Sequence, residues 1–225
     1  MTTLTIGFVL FPNVTQLDFT GPLQILHRLP GARTYFLAKT LDPQPSDCGL
    51  ALNPNATFDD CPPLDMICVP GGLGVSAAMG DAAVIDFIKR AGTARYITSV
   101  CTGAFLLGAA GLLHGRRATT HWAYVDLLPL VGAVHEKARV VRDGNIFTGG
   151  GVTAGIDVAL TVAAEIAGRA AAEAIQLGIE YDPGPPFASG SPERADPAIL
   201  RAVLARAEPR QRDRAERVSR AAAAL

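Results

Sequence analysis

Tryptophan occurs once in this 225-residue chain, histidine four times, and cysteine four times with no two spaced as CxxC. Zinc and iron–sulfur centres gather Cys and His at short spacings, so no metal site is expected. No apolar run approaches the roughly 18 residues of a membrane span. The first residues, Met-Thr-Thr-Leu-Thr-Ile, lack the basic start of a signal peptide. Neither sign of charge dominates, since 20 basic and 21 acidic side chains leave a net charge of −1. That removes the electrostatic reason to expect nucleic acid or a membrane surface as a partner. The expectation is a cytoplasmic protein with free thiols, no nucleic acid and no membrane. Apolar residues are plentiful instead, at 49%, while charged residues reach only 18%. This composition excludes a disordered chain and suits one large domain, or one domain with an appendage.

Hydrophobic patterning alternates strands with helices. Leu4 to Phe11 is a nearly continuous apolar run, the pattern of a strand covered on both faces. Asp18-Phe19-Thr20-Gly21-Pro22 ends in a proline suited to the first turn of a helix reaching about Leu29. Further strands are predicted at Tyr35 to Ala38, Asp65 to Val69 and Ala94 to Val100, with weaker ones between Gly49 and Phe58. Asp81 to Arg90 reads as an amphipathic helix and Thr102 to Ala110 as a helix of small residues. Val140 to Thr148 reads as a hairpin turning at Asp143-Gly144, and Gly149-Gly150-Gly151 opens a helical region from Thr153 to about Gly178. The alternation predicts an α/β fold with a mostly parallel sheet.

A domain over residues 1–190 is expected, followed by a helical tail over 191–225. The tail holds eight Arg against five Asp or Glu, with Ile199, Leu200, Val203 and Leu204 at helical spacing. Interleaved acids and the absence of aromatics make it a helix packing one stripe on the domain or a partner, not a nucleic-acid arm.

Chemistry points to Ser99-Val100-Cys101-Thr102-Gly103-Ala104, set between a hydrophobic strand and a helix. A nucleophile at a sharp strand-to-helix turn is held strained and exposed above the sheet. Amides at the new helix's start should lower the thiol pKa toward neutrality and stabilise a developing anion. Cys48, Cys61 and Cys68 read as buried structural thiols.

Together these segments resemble the ThiJ/PfpI superfamily. Ile97 to Ala104 is similar to its nucleophile elbow, and Leu106 to Trp122 to the helix and Thr-Thr-His-Trp that follow. Val69-Pro70-Gly71-Gly72 resembles its glycine turn beside the cysteine, and Gly149-Gly150-Gly151 its late glycine loop. The resemblance covers roughly the first 180 residues. It implies a flavodoxin-like fold with helices on both faces of the sheet, and a homodimer with sites near the interface. Branch departures narrow the chemistry. Thr102 stands where the peptidase-like branch has His, and Val152 onward lacks the amidotransferase His–Glu pair. Asp18 stands where the glyoxalase branch has Glu. Asp18 with Cys101-Thr102 is most similar to the branch that hydrates isocyanides to N-substituted formamides.

The chemistry suits that assignment. An isocyanide takes a nucleophile and a proton at the same carbon, so a thiolate at Cys101 and a neutral Asp18 would supply both, through a thioimidate. Burial and a nearby negative sulfur favour the neutral carboxyl, and the two groups should titrate as a coupled pair. A turn or helix-cap role for Asp18 is the competing reading. Thr102 is expected to bond the nucleophile or water, or to cap the following helix. Gly72 and Leu73, with Thr102, are expected anion-stabilising amides, and Gly151 and Val152 a pocket wall. His121 is a supporting residue or a structural histidine, and Trp122 lines an apolar pocket. No cofactor is expected. Two alternatives remain open: another chemistry of the superfamily, on an aldehyde, glyoxal or amide, and a ligand-sensing or redox-sensing module. Related domains occur fused to AraC-type DNA-binding helices, for which this chain leaves no room.

Overall fold

Strand β1 (Leu4–Val9), with Ile6, Phe8 and Val9 wholly buried, runs through the middle of a seven-stranded sheet in the computed structural model, which describes residues 3–223. It leads into α1 (Gln16–Leu26) and then β2 (Ala32–Ala38). The two-residue strands β3 (Gln44–Pro45), β4 (Ala51–Leu52) and β5 (Ala56–Thr57) follow. Next come β6 (Met66–Val69), α2 (Val75–Ala78), α3 (Ala82–Ala91) and β7 (Tyr96–Val100). A 3-10 turn over Cys101–Gly103 opens α4 (Ala104–Ala109). After β8 (Arg117–Ala118), a 3-10 segment over Trp122–Val131 and β9 (Val134–His135), the strands β10 (Val140–Asp143) and β11 (Ile146–Gly149) form a hairpin. The helices α5 (Ala154–Ala167), α6 (Arg169–Gly178) and α7 (Pro197–Ala222) complete the described chain.

The sheet order is β10-β11-β7-β6-β1-β2-β5, parallel except for β10 on β11. Every residue of β6 and β7 is buried, as strands covered on both faces require. Right-handed crossovers put α1 and α5, which pack on each other, on one face, and α3 and α4 on the other. The architecture is doubly wound and flavodoxin-like. The chain steps from β1 outward to β2, then returns to the far side of β1 as β6. Ligand crevices form at the carboxyl ends of the strands flanking such a reversal.

Several boundaries depart from the sequence pattern. Helix α1 starts six residues before Pro22 rather than at it, and ends at Leu26. Asp47, from a distant loop, accepts from Gln16 N–H at 3.4 Å and from Thr15 Oγ1 at 2.8 Å, so the helix start is capped across the fold. The hairpin loop is Gly144-Asn145, because Asp143 pairs with Ile146. The long helical region breaks at Gly168 into α5 and α6. On α7 the stripe of Ile199, Val203 and Leu204 stays exposed, and burial falls instead on Arg214 and Val218.

Candidate active site

Strand β7 delivers Cys101 to the sheet's carboxyl edge with φ at +56°, left-handed backbone that a side chain resists by about 1–2 kcal/mol. Both its backbone groups are tied down. Cys101 N–H donates to Gly150 O at 2.8 Å, and Thr120 Oγ1 donates to Cys101 O at 2.7 Å. The turn closes because Gly103 has no side chain: a Cβ there would meet Val69 O at 2.2 Å.

The thiol departs from the sequence expectation. Burial pushes it up to about 12, and the charge of Asp18 adds to the rise. The Thr102 and Val152 amides and the Arg214 charge pull downward without prevailing. Helix α4 is six residues long, too short to bring a large dipole to bear. The resting thiol therefore keeps its proton. Cys68, inside β6, is pushed equally to about 12, so proton affinity does not single out Cys101; the elbow does. Cys61 is half-buried and bonds Pro62 O, whereas Cys48 is exposed, against the expectation of a buried thiol there.

Asp18 occupies the first turn of α1, yet it does not cap that helix. Its Oδ2 accepts from Gly71 N–H at 2.9 Å in the glycine turn after β6. Its Oδ1 is buried with no partner among the described residues. Burial lifts this carboxyl to about 7, opposed by the Gly71 amide and the Cys101 thiol and assisted by the negative Asp47. The alternative of a turn or cap aspartate does not describe this geometry. No fully aligned hydrogen bond joins Asp18 to Cys101, but each shifts the other's proton affinity.

Seven of the nine residues singled out from sequence line one cavity of about 520 Å³; Asp18 bonds the Gly71 amide next to the lining residue Gly72, and Gly151 packs on the lining residue His121. Thr102 Oγ1 accepts from Gly72 N–H at 3.1 Å and caps no helix. That bond occupies the Gly72 amide, so Gly72 is not a free anion donor, whereas Leu73 N–H has no acceptor among the described residues. Val152 does more than wall the pocket, since its amide reaches the Cys101 sulfur. His121 Nδ1 accepts from Ala123 N–H at 3.2 Å, capping the Trp122–Val131 segment. Burial and the nearby Arg214 charge keep its ring below the usual range, hence neutral. Gly151 lies flat against that ring, where a Cβ would come within 2.6 Å. Trp122 lines the cavity beside His121, with ring centroids 5.4 Å apart. A separate cavity of about 330 Å³, lined by Phe11 and Lys39 among others, contains no cysteine. Among the described residues no cluster of three or more His, Cys, Asp or Glu could hold a metal ion.

Thr15, Asp47, Ala123 and Tyr124 add to the wall, and the rest of it comes from α7, which contributes Arg206, Arg210 and the buried Arg214. Sequence reading missed this contribution. A signal was there: Ala207, Gln211, Arg214 and Val218 repeat at heptad spacing, and an arginine on a helix's inward stripe is rarely idle.

Residues 5–165 match the DJ-1/PfpI family. The sequence is 56% identical to an isonitrile hydratase of Pseudomonas putida, over 99% of this chain and 98% of that one. It is 30% identical to the HTH-type transcriptional regulator GbdR of Pseudomonas aeruginosa over 79% of its own length, spanning 51% of that protein. A crystal structure of a ThiJ/PfpI family protein from Pseudomonas syringae superposes with a TM-score of 0.93 at 43% identity, covering 99% of this chain and 91% of the other.

Proposed function

This chain belongs to the DJ-1/PfpI family, and on that premise we propose that it is an isocyanide hydratase, adding water to R–N≡C to give an N-substituted formamide. One observation carries the reading: a buried thiol at a strained elbow beside a carboxyl that ionises at about 7. Isonitrile and isocyanide name the same group, so the 56% identical relative from Pseudomonas putida supports the same substrate class.

The proton inventory refines the mechanism. With the thiol protonated and Asp18 near half-ionised at neutral pH, about half of the molecules hold a single proton between the two groups, and these are the reactive ones. Asp18 carboxylate takes the S–H proton as the carbon–sulfur bond forms, and passes it to the same isocyanide carbon. The product is the thioimidate R–N=CH–S–Cys101. Water then adds across C=N, its proton again passing through Asp18 to nitrogen. Collapse of the adduct expels sulfur, which recovers its proton, and releases R–NH–CHO. The Thr102 and Val152 amides steady the sulfur through both steps. Both steps balance with water alone, so the reading involves no cofactor. Chelated protein should keep its full rate.

The catalytic unit in this reading is residues 1–190, completed by the helical arm of 191–225. It works as a homodimer in the cytoplasm on a small molecule, without nucleic acid. Sedimentation of the purified chain tests the dimer, and a monomer at micromolar concentration overturns it. Similarity to GbdR favours a second reading, ligand sensing without turnover. A redox sensor fits poorly, since oxidation favours an accessible thiolate and Cys101 is buried and protonated. The deciding experiment mixes purified protein with an alkyl and an aryl isocyanide and follows formamide by NMR. Formamide formed by wild type but not by Cys101→Ala supports hydration. Its absence with both substrates overturns it.

A further inference from the structure

Arg214 is 3% exposed, although it belongs to a helix that is otherwise largely solvated. Its Nη2 donates to Gly72 O at 2.9 Å, and its guanidinium lies 4.7 Å above the Tyr124 ring. Its Nε is buried with no partner, and none of the ion pairs among the described residues includes it. Burying a cation without a carboxylate is costly, and one carbonyl and one ring face compensate only in part. A structural brace could have been built from an apolar side chain at lower cost. The charge is retained next to a sulfur that turns negative during the reaction.

We propose that Arg214 is a positioning residue for hydration: it locks the Gly71–Gly72–Leu73 turn and holds a positive charge beside the Cys101 sulfur. The inference rests on the hydratase reading above. Gly72 N–H donates to Thr102 Oγ1 at 3.1 Å, and Gly72 O accepts from Arg214 Nη2 at 2.9 Å, the shortest of its contacts, with Val75 N–H at 3.3 Å and Thr102 Oγ1 at 3.5 Å beside it. The same turn presents Gly71 N–H to Asp18. In a trans peptide the C=O and the next N–H point in opposite directions, so fixing Gly72 O also fixes Leu73 N–H, which has no acceptor among the described residues. Arg214 thus makes the shortest contact on the Gly72–Leu73 peptide, which carries a free amide in the cavity wall, and through the turn it steadies the Gly71 amide on Asp18. Arg214 lies outside the stretch 5–165 that matches the family, so this device belongs to the added C-terminal helix.

The groups around the guanidinium are Cys101 at the elbow, His121 and Tyr124 beside it, Asp47 in the same cavity wall, and Arg206, Arg210 and Asp213 on α7. Of these, Cys101 is read directly by alkylation with iodoacetamide across pH, resolved by peptide mass spectrometry from the exposed Cys48. Arg214→Met keeps the packing and removes the charge. It should lower kcat by about 10²-fold with little change in KM. It should also move the alkylation profile of Cys101 about one pH unit upward. Arg214→Lys should restore the alkylation profile while kcat stays reduced, because one ammonium cannot both grip Gly72 O and cover Tyr124. A folded Arg214→Met protein with wild-type kcat overturns the proposal. So does a fall in kcat and melting temperature with the alkylation profile unmoved, which marks a mere brace. If Arg214→Met does not fold, Arg214→Lys decides alone: wild-type kcat, or a shifted profile, overturns it. Alkylation needs no substrate, so failure of wild type to hydrate isocyanides would be recognised separately.

Discussion

Two protons govern the chemistry at Cys101, one on sulfur and one on Asp18, and their order of release makes the rate depend on pH. The active form carries one proton between the two groups. It is populated as pH rises through about 7, where Asp18 ionises, and persists until the thiol itself begins to lose its proton. kcat/KM should therefore rise across neutrality and then level, as stopped-flow rates between pH 5 and 9 will read. Asp18→Asn keeps an oxygen to accept from Gly71 N–H but cannot relay a proton. It should remove the rising limb and cost about 10²–10⁴-fold. Asp18→Glu should recover part of the rate if one extra methylene is tolerated. Cys101→Ser should abolish turnover, whereas Ala at Cys48, Cys61 or Cys68 should alter melting temperature more than rate. Cys101 was legible in sequence because its context, apolar strand then small residues, is local. Its proton affinity was not, since burial and Asp18 outweigh the adjacent amides only in three dimensions.

At the scale of elements, the segments that follow β1, β6, β7 and β11 converge, bringing Asp18 of α1, Gly71, Cys101 and Val152 together. The central strands β1, β6 and β7 were legible because burial leaves continuous apolar runs, whereas the two-residue strands β3, β8 and β9 are too short to leave a pattern. The start of α1 was not, because Asp47 caps it from another loop, and Pro22 suggested a later beginning. The role of α7 was hidden for a similar reason. Its most apolar stripe is exposed, and its contribution to the site is mainly three arginines, of which only Arg214 is buried. Thr102 couples two of these elements through its bond to Gly72 N–H. Thr102→Val keeps the shape but leaves that buried donor without an acceptor, at a cost of about 1–3 kcal/mol. Melting temperature and kcat should both fall, and Thr102→Ser should restore both. A Thr102→Val enzyme with wild-type stability and rate would show that the glycine turn holds itself.

At the scale of the whole molecule, the reactive carboxyl is a liability to folding, and the sign of that effect can be worked out. In the unfolded chain Asp18 ionises at its ordinary value of 3.8; in the folded protein burial raises this to about 7. Below the lower value the group is neutral in both states and imposes no penalty. Between the two values the folded state binds more protons than the unfolded one, so stability falls as pH rises. Above about 7 the carboxylate is charged in both states and the full penalty is present. Other carboxylates titrate over the same range, so the wild-type curve alone does not isolate Asp18. The difference from Asp18→Asn does, because only this residue changes. The variant should gain stability over wild type progressively between pH 4 and pH 8, with the gap level above that. Urea unfolding of both proteins at four pH values across this window measures it. A gap that stays constant with pH would mean that Asp18 ionises normally in the folded protein, and the proton relay at Cys101 would lose its neutral-pH carboxyl.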